Sequence, residues 1–63
     1  MSNKKGAIEH LEKHQMYPAT REDLITECDG LPDFSKGDKE WFKDNLPSGT
    51  YNSAGEVRKV LGL

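Results

Sequence analysis

The sequence predicts a single small all-α domain, a compact bundle of about four short helices. Three segments share one helix-start pattern, in which a serine or threonine is followed three residues later by an acidic residue. Two segments end in a glycine followed by leucine, which is typical of helix ends. Apolar residues between these marks recur at helical spacing. We therefore expect helices over residues 4–14, 21–29, 36–45 and 54–61.

Each helix start is a candidate capping box, in which the hydroxyl oxygen accepts a main-chain N–H and the acid reaches back to the cap residue. The three pairs are Thr20 with Asp23, Ser35 with Asp38, and Ser53 with Glu56. Each acid also lies near the positive end of its helix dipole, where negative charge is favoured. The pattern predicts that helices begin at Arg21, Lys36 and Ala54.

The glycines Gly30 and Gly62 predict left-handed closures after the second and fourth helices, because glycine adopts that conformation at little cost. The first helix is the weakest of the four. Lys4 and Lys5 oppose its dipole, and the glycine that follows them lowers its helix propensity. We therefore expect residues 1–5 to be partly frayed within the single domain of residues 1–63.

Composition limits the classes of partner and compartment. The chain has 63 residues and one cysteine, Cys28, so it has no internal disulfide framework, and a reducing cytoplasmic location is favoured. No apolar run approaches the roughly 20 residues that span a bilayer. A net charge of -2 predicts no strong attraction to nucleic acid or to a membrane surface.

Two blocks of the chain resemble a known family. The run YPATREDLI at residues 17–25 resembles the signature segment of domain-of-unknown-function family 2795, a group of small bacterial and archaeal proteins. Residues 46–47, 51–53 and 56–57 resemble its second conserved block, so the resemblance spans about residues 8–61. Residues 33–44 depart from the acidic and aliphatic helix of the family. The resemblance implies a compact helical domain and carries no assigned activity, cofactor or partner.

Two tyrosines precede helix starts in a similar way. Tyr17 lies before the pair Thr20 and Asp23, and Tyr51 lies before Ser53 and its acid. The spacing from tyrosine to cap differs by one residue, which indicates a shared device and no true repeat. We expect each ring to pack near the first turn of the helix that follows it, much like a hydrophobic staple.

A metal site is the first functional hypothesis. His10 and His14 lie four residues apart on one predicted helix face, a spacing that can place two imidazoles on a zinc ion. The acid between them is in the wrong position for the metalloprotease motif. A third ligand would have to come from Glu9, Cys28 or a distant acid. We therefore expect two solvated histidines, with no metal and no cofactor.

Catalysis is the second hypothesis, and Cys28 is its one candidate nucleophile. It lies in the apolar stripe of the second helix, where a thiol is usually a small inert hydrophobe. A nucleophilic cysteine would need a base held beside it, and the sequence shows no glycine-framed or otherwise strained setting around Cys28. The chain is therefore expected to have no catalytic residues and no enzymatic activity.

Binding of a protein partner is the favoured function, chosen by elimination. Trp41 and Phe42 are adjacent, and a core this small needs aromatic bulk, so at least one of them is expected inside. The other would be a candidate partner-binding anchor.

A helix-turn-helix-like DNA-binding module is the alternative. The candidate nucleic-acid contacts are Lys36, Lys39 and Lys43, which fall on one face of the third helix. They are balanced by Asp38, Glu40 and Asp44, and phosphate binding normally requires excess positive charge. The connection over residues 30–35 is also longer than the usual turn of that motif.

Overall fold

The fold of this protein was obtained as a computed structural model that describes all 63 residues. Its helices, in chain order, are α1 (Lys4–Glu9), which continues directly as a π-helical turn over His10–His14, α2 (Arg21–Asp29), α3 (Lys36–Asn45) and α4 (Ala54–Leu61). The predicted bounds of all four helical segments are confirmed. The structure also contains two short strands, β1 (Ala19–Thr20) and β2 (Thr50–Tyr51). The fold is therefore mostly α with a small sheet, where the sequence predicted helices alone.

The two strands pair antiparallel and join the segments that precede α2 and α4. Ala19 lies opposite Tyr51 and Thr20 lies opposite Thr50. The main-chain N–H of Arg21 continues the pairing by donating to the carbonyl of Gly49 at 3.1 Å. β1 leads directly into α2, and α4 begins three residues after the end of β2, so the sheet joins the segments that precede these two helices. Strands of two residues show no alternation that the sequence could reveal.

The full capping box forms at α2. The hydroxyl of Thr20 accepts the N–H of Asp23 at 3.2 Å, and the carboxylate of Asp23 accepts the N–H of Thr20 at 3.1 Å. At α4 the hydroxyl of Ser53 accepts the N–H of Glu56 at 3.4 Å. The carboxylate of Glu56 accepts the N–H of Asn52 in place of the cap residue's own N–H. Both helices thus begin where a side chain satisfies an otherwise unpaired donor.

The two glycine closures differ. Gly62 has a φ of 73° and forms the left-handed end of α4 as predicted. Gly30 has a φ of -81°, so the left-handed closure predicted after α2 is wrong. The chain instead continues in right-handed turns, in which the N–H of Leu31 donates three residues back. The carbonyl of Asp29 accepts the ammonium of Lys39 at 2.9 Å, which also satisfies the end of α2.

One apolar core joins all the elements. Its eleven buried members are Ala7, Leu11, Ala19, Leu24, Cys28, Phe34, Phe42, Leu46, Tyr51, Val57 and Leu61. Every helix contributes through residues at helical spacing, so the amphipathic stripes of the sequence meet in one place. None of the helices combines the length and the apolar character that crossing a membrane requires.

The Ser53 cap gives a first testable prediction. Ser53→Ala removes the acceptor for the N–H of Glu56, so the free energy of unfolding should fall by about 1 kcal/mol. Urea denaturation followed by far-UV circular dichroism measures the change. Ser48→Ala is the matched control, because Ser48 is exposed and caps no helix, and it should change stability by less than about 0.5 kcal/mol. Equal losses in the two variants would contradict the cap at Ser53.

Candidate functional site

Helix α3 carries most of the candidate binding residues, and a buried carboxylate fixes its first turn. The hydroxyl of Ser35 accepts the N–H of Asp38 at 3.2 Å, so the cap forms. The carboxylate of Asp38 does not return the bond to Ser35. It accepts the main-chain N–H of Ser2 at 2.7 Å and that of Asn3 at 3.3 Å, and the residue is 4% exposed. The expected second half of the box is therefore replaced by a link to the start of the chain.

This link orders residues 2 and 3, which lie in the segment that the sequence predicts to be partly frayed. Asn3 is also the cap of α1, because its side-chain oxygen accepts the N–H of Gly6 at 3.1 Å. The N–H of Ser2 is the main influence that lowers the pKa of Asp38 below its ordinary value of 3.8, against the opposing effect of burial. Residues 2 and 3 are thus held by hydrogen bonds to the ionised carboxylate.

The far end of α3 is fixed by Arg21, which the sequence patterns mark only as the start of a helix. Its guanidinium donates to the carbonyl of Leu46 at 2.7 Å and to that of Lys43 at 2.8 Å. These two carbonyls have no partner within the helix, and a cation is favoured at this negative end of the dipole. Helix α3 is therefore anchored at both ends by other parts of the chain.

The two adjacent aromatic residues have different environments. Phe42 is 4% exposed and belongs to the core. Trp41 packs against the edge of the core and is only partly buried. Its carbonyl accepts the side-chain amide of Asn45 at 2.8 Å, whereas its indole N–H has no partner within the chain and is not sealed from solvent. Of the pair, only Trp41 is partly exposed and keeps an uncommitted donor.

The three lysines of the alternative hypothesis are not equivalent. Lys36 and Lys43 are exposed, but the ammonium of Lys39 donates to the end of α2. Among the acids that balance them, Glu40 and Asp44 are exposed. The solvent side of α3 therefore has two uncommitted lysines beside two exposed carboxylates, and its charge remains close to balanced.

The two histidines line an open groove with three carboxylates. The rings of His10 and His14 lie 6.2 Å apart between centroids and are inclined by 23°. Glu9, Glu27 and Asp33 line the same groove of about 520 Å³. No three histidine, cysteine, aspartate or glutamate side chains converge closely enough to hold a metal ion. The groove therefore has polar walls without a formed coordination site. His14 is exposed, but Nε2 of His10 is buried, so the expectation of two solvated histidines is wrong for His10.

Cys28 is buried, and its environment suppresses ionisation. Burial raises the pKa of its thiol to about 11, and the nearby carboxylate of Asp29 acts in the same direction. At neutral pH we expect a thiol-specific reagent to label Cys28 on the order of 100-fold more slowly than the same thiol in the urea-unfolded chain, because thiolate is the reactive form. Labelling at equal rates in the two states would contradict this environment.

Two exposed apolar side chains lie outside the predicted sites. Met16 is 84% exposed and Val60 is 44% exposed. Met16 lies in the loop between the π-helical turn and β1. This loop has no periodic pattern, so the sequence does not predict whether Met16 is exposed. Val60 lies on α4 at helical spacing from buried residues, so the pattern alone suggests burial.

Comparisons with known proteins assign no relative to this chain. No family model, no curated protein and no solved structure matches it.

Proposed function

We propose that this chain is a non-catalytic protein-interaction or regulatory module of the cytoplasm, and that Trp41 is an anchor residue for its partner. The observation that carries the proposal is a partly exposed indole whose N–H is uncommitted. Tryptophan is enriched among the residues that dominate binding energy, because it combines a large apolar surface with one donor. A buried cysteine with a raised pKa, whose thiol stays protonated at neutral pH, supports a role without catalysis.

The anchoring of α3 supports the same role. Asp38 binds the start of the chain, Lys39 binds the end of α2, and Arg21 binds the end of α3. These contacts limit the motion of the helix that carries Trp41. A side chain presented by a rigid helix loses little conformational entropy on binding, so more of its contact energy appears as affinity.

We also propose that the chain is related to domain-of-unknown-function family 2795. The proposal rests on the resemblance at residues 17–25 and in the second block over residues 46–57. Both blocks include a strand of the small sheet and the capped start of the following helix. This arrangement gives the shared residues a structural reason to be present, and it supports a common fold more than a common partner.

A helix-turn-helix-like DNA-binding module is the second candidate function. One observation favours it. Asp38 is turned away from solvent and bound to main-chain N–H groups, so one of the three acids on α3 no longer faces a ligand there. Lys36 and Lys43 remain exposed, but two exposed acids accompany them, and phosphate contacts supply most non-specific affinity. We therefore rank this candidate below protein binding.

One capture experiment separates the two candidates. The chain is immobilised and used to capture partners from native cytosol, with and without nuclease treatment. We expect nuclease-resistant protein to be retained by the unmodified chain. In a binding assay with that captured partner, Trp41→Ala should raise Kd roughly 30-fold. This increase corresponds to a loss of about 2 kcal/mol of binding free energy, as expected for a hot-spot residue.

Two controls make the outcome specific. Val60→Ala removes an exposed apolar side chain from another helix and should leave the Kd for the captured partner unchanged. Lys36→Glu with Lys43→Glu tests the DNA-binding candidate, since it reverses the two uncommitted positive charges of α3. If nuclease removes the captured material and the charge reversal abolishes salt-dependent duplex binding, the DNA-binding candidate replaces the first proposal.

A further inference from the structure

Two polar atoms in the interior have no hydrogen-bond partner within the chain. They are Nε2 of His10 and the side-chain oxygen Oε1 of Gln15. Both are sealed from bulk solvent by the surrounding side chains. A buried polar atom without a partner is costly, and native proteins nearly always satisfy such atoms through protein groups or ordered water.

The π-helical turn explains why these two residues lie together. The N–H of Gln15 donates to the carbonyl of His10 at 3.0 Å, five residues back. In an α-helix, residues five apart would point about 140° away from each other, because each residue advances by about 100°. The wider turn reduces this separation. Gln15 then leaves the helix in an extended conformation, with φ -92° and ψ 134°.

His10 and Gln15 also line the same small, largely enclosed cavity. Its free volume is about 10 Å³, and the rest of its wall is mainly apolar, with Leu11, Leu24 and Phe42 among the residues that form it. This volume is close to the minimum that admits a single water molecule. A site for water must also offer at least two polar partners, and the two unpaired atoms meet that requirement.

We propose that one water molecule binds in this cavity and bridges Nε2 of His10 to Oε1 of Gln15. The water donates one hydrogen bond to Oε1, which is an acceptor only. Its second bond is with Nε2, as donor or acceptor according to the imidazole tautomer. The bound water is then an integral part of the π-helical turn, because it satisfies the two side chains that the turn brings together.

A high-resolution crystal structure and NMR in solution test the proposal on the intact chain. We expect density for one water molecule at hydrogen-bond distance from both atoms. We also expect a rotating-frame cross-peak between that water and the side-chain amide protons of Gln15, with the sign of a direct contact. Absence of the water in the density, with a direct bond from His10 Nε2–H to Gln15 Oε1, would overturn the proposal.

A matched pair of variants tests the bridging role. Gln15→Met keeps a similar side-chain volume without the amide, and the ordered water should be lost from the density. His14→Gln changes the neighbouring exposed imidazole, and the water should be retained. A water that remains in place in Gln15→Met would overturn the bridge. If Gln15→Met does not fold, the density in the unmodified chain and in His14→Gln decides.

Discussion

Phe42→Ala should lower the free energy of unfolding by about 3–5 kcal/mol, since it removes a buried aromatic ring and leaves a cavity behind. A chain of 63 residues is expected to have only about 3–9 kcal/mol of stability in total. The loss is therefore a large fraction of the total, and the urea midpoint of the variant should fall strongly. Urea denaturation followed by far-UV circular dichroism measures the effect.

Trp41→Ala is the matched control for this prediction, because the two aromatic residues are adjacent on α3. Trp41 is only partly buried, and we expect its loss to cost about 1–2 kcal/mol. A larger loss of stability for Trp41→Ala than for Phe42→Ala would contradict the orientation of α3 described above. The two variants thus test which aromatic side chain faces the core and which is available to a partner.

Asp38→Ala should detach the start of the chain from α3. The carboxylate accepts the N–H of Ser2 and of Asn3, and no other group in the structure takes its place. We expect amide hydrogen exchange at these two residues to reach the rate of an unstructured chain, and the urea midpoint to fall. Asp44→Ala on the exposed side of the same helix is the control, and it should change neither measurement. Unchanged exchange at Ser2 and Asn3 in Asp38→Ala would contradict the link.

The lowered pKa of Asp38 also predicts how the stability of the fold responds to acid. Its pKa in the folded chain is lowered, chiefly by the N–H of Ser2, from an ordinary value of 3.8. A group with a lowered folded pKa stabilises the fold above its unfolded pKa. That contribution is lost as the pH falls below 3.8 through the folded value. The isosteric variant Asp38→Asn should remove this part of the acid dependence, whereas Asp44→Asn should retain it. Identical pH profiles for the unmodified chain and Asp38→Asn would count against the assignment.

Local marks in the sequence were enough to place the helices. The bounds of α2, α3 and α4 follow from a capping hydroxyl, an acid in the first turn and apolar residues at helical spacing. Each of these marks acts between residues four or fewer positions apart, so no knowledge of the packing is needed. Even the first helical segment, residues 4–14, ends at the predicted residue.

The same local marks do not identify the partner of each acid. Asp23 and Asp38 occupy the same position in the same pattern, three residues after a capping hydroxyl. Asp23 returns its bond to Thr20, whereas Asp38 binds N–H groups 35 and 36 residues away in sequence. The difference depends on what packs against each helix start. Only at α3 does the beginning of the chain come within reach of the carboxylate.

The small sheet also escaped prediction, because its pairing joins segments that are distant in sequence. Tyr17 and Tyr51 both precede capped helices, and both hydroxyls donate back to an earlier carbonyl, those of Leu11 and Pro47. These contacts are local in sequence. The pairing of Ala19 with Tyr51 joins residues that are far apart along the chain, and two-residue strands have no pattern of their own. Antiparallel pairing therefore depends on tertiary contacts between distant segments, which no local pattern in the sequence predicts.

The candidate site likewise has features that the sequence predicts and features that only the tertiary structure determines. The amino-acid sequence was sufficient to place Trp41, Phe42 and the three lysines on one capped helix, because helix formation depends on neighbours within about four positions. Tertiary packing alone decided that Phe42 is buried, that Trp41 keeps an uncommitted indole N–H and that Lys39 is bound to α2. These outcomes depend on which face of α3 meets the core and which residues reach its two ends, and those contacts join segments that are distant in sequence.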